Sequence, residues 1–279
     1  MRTTSASCVA LLALIGLAAA TANADIMIST YLGTKIGQEV FIGGGDVVQY
    51  DMDTGAAEIL LDSSAFTGDW WMPRNVDAFH LMADGDFVLS TTFDQSLGGL
   101  SFEPGDLVRY DPAANTASLL FDGSLLGRNE NIDGVYVRES GEILLSTTSS
   151  ACLAGLSFRS GDVVEYNPAS GAVSLVFDQD WFSRNEDIDA LHVLEDGDLV
   201  LSTFSGGTLF GLDFSCGDLV RVDTTARTAE IFISDAIYDT CLFVNTDAFS
   251  MTPAVPEPAT LALLILGGAI GLIRRRRAG

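Results

Sequence analysis

Basic residues are scarce in this 279-residue chain: Lys and Arg number 14 against 38 Asp and Glu, for a formal charge of −24. Arg2 and Arg274 to Arg277 sit in the terminal segments, where Glu257 is the one acid. The stretch from Asp25 to Pro253 therefore holds 9 bases and 37 acids, a formal charge of −28. Such a field repels polyphosphate and attracts cations, so nucleic-acid binding is disfavoured. It also supplies solubility. Cysteine is sparse too. Cys8 lies in the first segment, and Cys152, Cys216 and Cys241 remain, with no C-x-x-C pair and no Cys/His spacing for zinc. In an oxidising compartment one pair can close and leave one thiol over, and Cys216–Cys241 is the preferred pair. No G-x-S-x-G, H-E-x-x-H or P-loop pattern is present, nor an EF-hand or RTX-type calcium loop. Low-complexity tracts are missing as well. At 48% hydrophobic and 19% charged, the composition is that of a globular domain large enough to bury a core without staples.

The two ends carry addresses. Arg2 is followed by the apolar stretch Val9 to Ala20 and by Ala22-Asn23-Ala24, an A-x-A cleavage site. Residues 1–24 read as a secretory signal helix cut before Asp25. Cys8 precedes the apolar stretch, so it is not a lipoprotein cysteine. At the other end, Val255-Pro256-Glu257-Pro258 leads into an uncharged apolar run, 259–273, and then Arg274 to Arg277. The run falls short of the roughly 20 residues that span a bilayer comfortably. It reads as a short transmembrane helix with the arginines on the cytoplasmic side. Motif, helix and basic cluster, in that order, resemble the PEP-CTERM sorting signal of Gram-negative bacteria. The resemblance covers about the last 25 residues. It implies a transient inner-membrane anchor, removal of the tail by an exosortase-type enzyme, and release or anchoring at the cell surface, often alongside exopolysaccharide. A plain membrane anchor is the alternative. The expected organisation is a signal peptide at 1–24, a body at 25–253 and a sorting segment at 254–279.

The body repeats. Asp77 in "NVDAFHL", Asp133 in "NIDGVYV", Asp189 in "DIDALHV" and Asp247 in "NTDAFSM" are spaced by 56, 56 and 58 residues. Three further series accompany them. "DIMIST", "DFVLST", "EILLST" and "DLVLST" form one. The second is "GDVVQYD", "GDLVRYD", "GDVVEYN" and "GDLVRVD". The third is "AEILLD", "ASLLFD", "VSLVFD" and "AEIFIS". Each member is too short for a helix, is rich in Val, Ile, Leu, Phe and Tyr, and is bounded by turn residues, so all read as strands. Asp84-Gly85 and Asp196-Gly197 suit tight hairpins. Asp111-Pro112 and Asn167-Pro168 open the next turn. The unit is four antiparallel strands, A to D from the inside out. Its order resembles blades of NHL- and YVTN-type β-propellers, a likeness of pattern that spans nearly the whole body. The body begins with strand B at Asp25 and ends with strand A at 245–251. One blade built from both ends therefore closes an all-β propeller of four blades and removes its exposed edges.

In such a ring the four strand-A acids circle the axis near one face. Asn75, Asn131, Asp187 and Asn245 stand two positions before them. Asp46, Asp106, Asp162 and Asp218 begin strand C on the same face, about 9–10 Å farther out. Carboxylates about 8 Å apart at an effective dielectric of about 20 repel by roughly 2 kcal/mol per pair, so the ring needs an offset. Three remain open: a hard cation such as Ca²⁺ held by Asp77, Asp133, Asp189 and Asp247; pairing with Arg128 and Arg184; or carboxylates splayed outward to cap turns and accept from hydroxyls, with Asp77 opposite Thr92 and Asp133 opposite Thr148. His80 and His192 share one strand-A position, where the other blades have Tyr136 and Ser250, and read as neutral packing residues or as a pair beside a metal. Trp70, Trp71, Trp181 and Phe182 fall in D–A loops as gap fillers or a sugar platform. The B–C connections read as glycine-rich loops anchored by Leu100, Leu156, Leu212, Phe102, Phe158 and Phe214. Together these features suggest a secreted or surface-sorted binding module, partnered by polysaccharide or a surface protein. The other reading is a calcium-dependent hydrolase or lyase working at the acid ring.

Overall fold

The computed structural model describes residues 25–37, 40–67, 74–127, 130–238 and 244–252. The signal segment, the sorting segment with Val255 to Pro258, Trp70, Trp71, Arg128 and Cys241 lie outside these residues. Among the described residues no helix is long and apolar enough to cross a membrane.

Four antiparallel sheets of four strands stand around one axis. From the inside out, blade 1 is Val76–Leu81, Phe87–Thr91, Leu107–Asp111 and Thr116–Phe121. Blade 2 is Ile132–Val137, Ile143–Thr147, Val163–Asn167 and Ala172–Phe177. Blade 3 is Ile188–Val193, Leu199–Thr203, Leu219–Asp223 and Thr228–Ile233. The closing blade takes its inner strand, Thr246–Met251, from the end of the body. Its other strands, Ile26–Thr30, Val47–Tyr50 and Ala57–Leu61, come from the start. Ile26 pairs with Met251 and Ile28 with Phe249, so the composite blade is a true ladder.

Burial follows strand position. Every residue of all four second strands is buried, which is why they read as unbroken apolar runs: neighbouring blades cover both faces. The outermost strands bury only their last residue, Leu61, Phe121, Phe177 or Ile233, and leave the others exposed or half-buried. The inner strands pack against one another around the axis, and opposite strands also meet, so the centre is filled.

Two sequence expectations need correction. Each inner strand carries a β-bulge at its acid: Val76 pairs with Thr91 and Ala78 with Ser90, so Asp77 lies opposite no residue. Asp133 and Asp189 are bulged in the same way. A bulge re-aims a side chain, and here it lets the acids leave the simple alternation on which Thr92 and Thr148 were placed. The B–C connections, expected as loops, are β-hairpins: Thr34–Ile36 with Val40–Ile42, Gln95–Leu97 with Leu100–Phe102, Ala151–Leu153 with Leu156–Phe158, and Gly207–Leu209 with Leu212–Phe214. Phe102, Phe158 and Phe214 are buried in them, as anchors should be, while Leu100, Leu156 and Leu212 are half-buried. The hairpins fasten blades together. Thr67 N donates to Ser96 O at 2.8 Å and Ser183 N to Thr208 O at 2.9 Å, from the loop that enters the blade.

The "GD" acids are staples. Asp46 accepts from Gly43 N and Ser63 N, both at 2.7 Å. Asp106 accepts from Glu103 N and Gly123 N. Asp162 does so from Arg159 N and Gln179 N, and Asp218 from Ser215 N and Asp235 N. Each carboxylate thus ties the start of strand C to the turn after strand D, satisfying two backbone donors.

Candidate functional site

Both ends of the axis are polar. At the face of the D–A loops, Asp77, Asp133, Asp189 and Asp247 are buried and converge rather than splay. Asn75, Asn131 and Asn245 each donate to the acid of the preceding blade. Asn75 Nδ2 reaches Asp247 Oδ2 at 2.5 Å, Asn131 reaches Asp77, and Asn245 reaches Asp189. The fourth link is broken. Blade 3 has Asp187 where the others have Asn, so no amide donor faces its neighbour Asp133. Ser146 Oγ donates to Asp133 Oδ1 at 2.7 Å instead. It has room because Gly134 stands where other blades have Ala; a Cβ there would lie 2.4 Å from Ser146 Oγ. Asp133 Oδ2 and Asp187 Oδ1 are left without partners among the described residues.

Burial is the first cause of the raised pKa of every one of these acids. It pushes Asp187 to about 7, with the charge of Asp77 adding to it. Asp133 is raised well above the usual range by burial and then by Asp187 and Asp189. Asp189 and Asp247 are likewise well above it, and Asp77 is raised less because Thr92 and Asn131 donate to it. Thr92 Oγ1 lies 2.6 Å from Asp77 Oδ1 despite the bulge. The ring repulsion is therefore offset by amide donors, hydroxyls and protons. Arg184 is exposed and takes no part. As the side chains stand, no three His, Cys, Asp or Glu among the described residues are grouped to hold a metal ion.

The other end is a cavity of about 450 Å³. His80, Tyr136 and His192 form its floor, with ring centroids 4.6 Å apart for His80–Tyr136 and 5.1 Å for Tyr136–His192. Ser250, the fourth residue of that column, accepts from Leu81 N at 3.1 Å. Met82, Leu194 and Met251 wall the cavity, and Glu139 and Glu195 stand exposed at its rim. Burial drives the His80 imidazolium pKa down to about 4 and that of His192 to about 3. Both rings are neutral at pH 7, and both Nδ1 atoms are buried without a partner among the described residues. The sequence had paired these histidines by position, but nothing in it announced a cavity, because the hollow comes from the spread of three A–B turns and the end of the closing blade's inner strand.

Trp181 packs on Phe177 at 4.9 Å, with Arg227 over its ring at 5.1 Å, and Phe182 is buried. Cys152 is an exposed thiol. Cys216 is a buried one, its Sγ 3.6 Å from the Val244 carbonyl oxygen, and its expected partner Cys241 lies outside the described residues.

Residues 254–277 match the PEP-CTERM protein-sorting motif. The chain carries a surface-sorting signal. That motif implies export, processing by exosortase, a membrane protease, and sorting to the cell surface. No curated protein matches the chain. Solved structures similar to it include the extracellular domain of BT4673 from B. thetaiotaomicron, at 12% identity and TM-score 0.32 over 78% of this chain and 24% of that one. An auxiliary nutrient binding protein from Bacteroides thetaiotaomicron is 9% identical, with TM-score 0.35 over 75% of this chain and 48% of that one. Virginiamycin B lyase from Staphylococcus aureus is 8% identical, with TM-score 0.33 over 72% and 54%. The chain thus spans about a quarter to a half of the length of these structures. The body of the chain is a four-bladed β-propeller.

Proposed function

We propose that this surface-sorted propeller is a non-catalytic binding module whose ligand enters the axial cavity floored by His80, Tyr136 and His192. The cavity carries the reading. Its volume of about 450 Å³ suits a small molecule or one residue of a polymer, and it combines apolar walls with a few convergent polar groups. No serine or cysteine nucleophile lines it. The sorting motif supports the address at which such a module would meet matrix polysaccharide or a surface protein. The chain has two histidines, so two imidazole NMR signals report the cavity floor. Titrating the protein with matrix saccharides, amino acids and amines is expected to shift both signals with at least one class. If no class moves either signal, the reading falls.

The broken link favours a second reading, in which Ca²⁺ enters the acid ring and supports hydrolase or lyase chemistry. Asp133 Oδ2 and Asp187 Oδ1 are two oxygens without a hydrogen-bond partner among the described residues. Closing on an ion requires these carboxylates to turn their free oxygens inward. Under this reading, Ca²⁺ at a hundred times its Kd stabilises the protein by about 2.7 kcal/mol, and EDTA reverses the gain. Asp187→Asn abolishes the response. A melting temperature that ignores both Ca²⁺ and EDTA removes the cation and the chemistry built on it.

A further inference from the structure

We infer that the axial cavity is filled by the chain's own continuation, the uncharged stretch Pro253 to Pro256 that leads into the sorting motif. This rests on the reading of the cavity as the ligand site and names what competes for it. The course of the chain points there. In three blades the inner strand ends in a turn at the cavity's rim. Met82 N donates to Asp86 O at 2.9 Å, and Arg138 N to Glu142 O and Leu194 N to Asp198 O at 2.8 Å. Thr252 N makes the equivalent bond to Asp25 O at 2.9 Å, so the closing blade sets out on the same course. No turn follows it, because that blade's first two strands come from opposite ends of the body. Beyond the described residues the chain runs on as Pro253-Ala254-Val255-Pro256 from Met251 and Thr252, which both line the cavity. Four residues reach at most about 14 Å, so the stretch stays over the hollow it leaves from.

The chemistry of the cavity suits that stretch. Leu81, Met82, Leu194 and Met251 line it and are half-buried, which leaves apolar surface for a partner to cover. Methionines adapt to the shape they meet. Ala254 and Val255 bring apolar side chains, and the two prolines have no N–H to leave unpaired against an apolar wall. Prolines also hold the stretch extended, so it loses less entropy on docking. The exposed rim acids Glu139 and Glu195 repel an anionic segment, and the stretch carries no charge before Glu257. Attachment does the rest. A tethered segment acts at an effective concentration of about millimolar, so a contact too weak to hold a free peptide holds this one.

All four sheets and the closing ladder lie before Pro253, so the chain from Asp25 to Pro258 keeps the whole fold. It is compared with the same chain carrying Pro253→Gly, Ala254→Ser, Val255→Gly and Pro256→Ser. Both end at Pro258, so any difference comes from the stretch itself. The His80 and His192 imidazole signals are expected to differ between the two chains. In the native chain the Val255 methyl groups are expected to show short-range NMR contacts with the methyl groups of Met82 or Leu194. Val255→Asp alone moves the imidazole signals to their Gly-Ser positions. Identical imidazole signals overturn the inference. So does a difference without those methyl contacts, since the stretch then acts from outside the cavity. The titration with saccharides, amino acids and amines, run on the Gly-Ser chain, judges the ligand reading by itself. A class that shifts the signals there upholds that reading whether or not the stretch docks. With the stretch docked, the same class binds the native chain more weakly, in proportion to the fraction of time the cavity is free.

Discussion

Gly161→Ala lowers the stability of the propeller by about 4 kcal/mol, or about 10 °C in melting temperature. Gly161 precedes the staple Asp162 at the start of strand C. A Cβ there would sit 2.3 Å from the Glu186 carbonyl oxygen and 2.6 Å from Gln179 Cγ. The first obstacle is backbone of the segment leading into the next blade, which cannot rotate away as a side-chain tip can. The same approach recurs at Gly45 against Arg74 O, Gly105 against Glu130 O and Gly217 against Val244 O, at 1.9, 2.1 and 2.7 Å. The repeated glycine is thus where one blade's outer turn meets the next blade's entry. Gly141→Ala is the control. Its φ of +97° makes Ala strained, but a Cβ there meets nothing within 4 Å, so the cost is about 1 kcal/mol. Thermal or urea unfolding of the two variants decides the matter. Equal small losses would mean that the blades can separate to admit a methyl group.

Asp187→Asn stabilises the protein by on the order of 2–3 kcal/mol at pH 8, and by much less at pH 5. The amide supplies the donor that the other three blades already have, completing the ring to Asp133. The pH dependence follows from a folded-state pKa of about 7 against about 3.9 for an ordinary Asp. Below pH 4 the acid is protonated in both folded and unfolded chains and costs nothing. As pH rises toward 7 the unfolded chain ionises freely and the folded one does not, so the wild type loses stability across that window. The variant has no such group and keeps it. Because Asp187 is partly open to solvent, the effect is smaller than the full shift would give. The neutral histidines act in the opposite sense, destabilising the fold as pH falls below 6.5, but they do so equally in both proteins and cancel from the difference. Melting temperatures at pH 5 and pH 8 in EDTA measure the effect. A difference that does not grow with pH would show that the wild-type carboxylate is comfortably charged.

The blade strands and the way the ring closes were readable in the residues. Four series at nearly constant spacing, each with apolar runs between turn residues, leave few arrangements that bury every run. The offset between the first strand B and the last strand A leaves one that also hides the edges. The acids at the start of strand A were readable as an axial set for the same reason. Their bulges were not, because a bulge is a choice of hydrogen-bond register, and both registers fit the same alternation of residue types. The inserted hairpins were hidden by glycine-rich composition, although Leu97, Leu153 and Leu209 are as buried as any core residue.

Repetition in the sequence therefore determined the fold, the number of blades and which side chains face the axis, since local patterning and burial act within each unit. Only the tertiary structure decided how those side chains treat one another. Asn131 finds Asp77 and Asn245 finds Asp189 across blade boundaries, and whether each acid meets a donor depends on which blade stands beside it. The single change from Asn to Asp at position 187 looks conservative in the chain. In the closed ring it replaces the amide donor that would have faced Asp133 with a second carboxyl group.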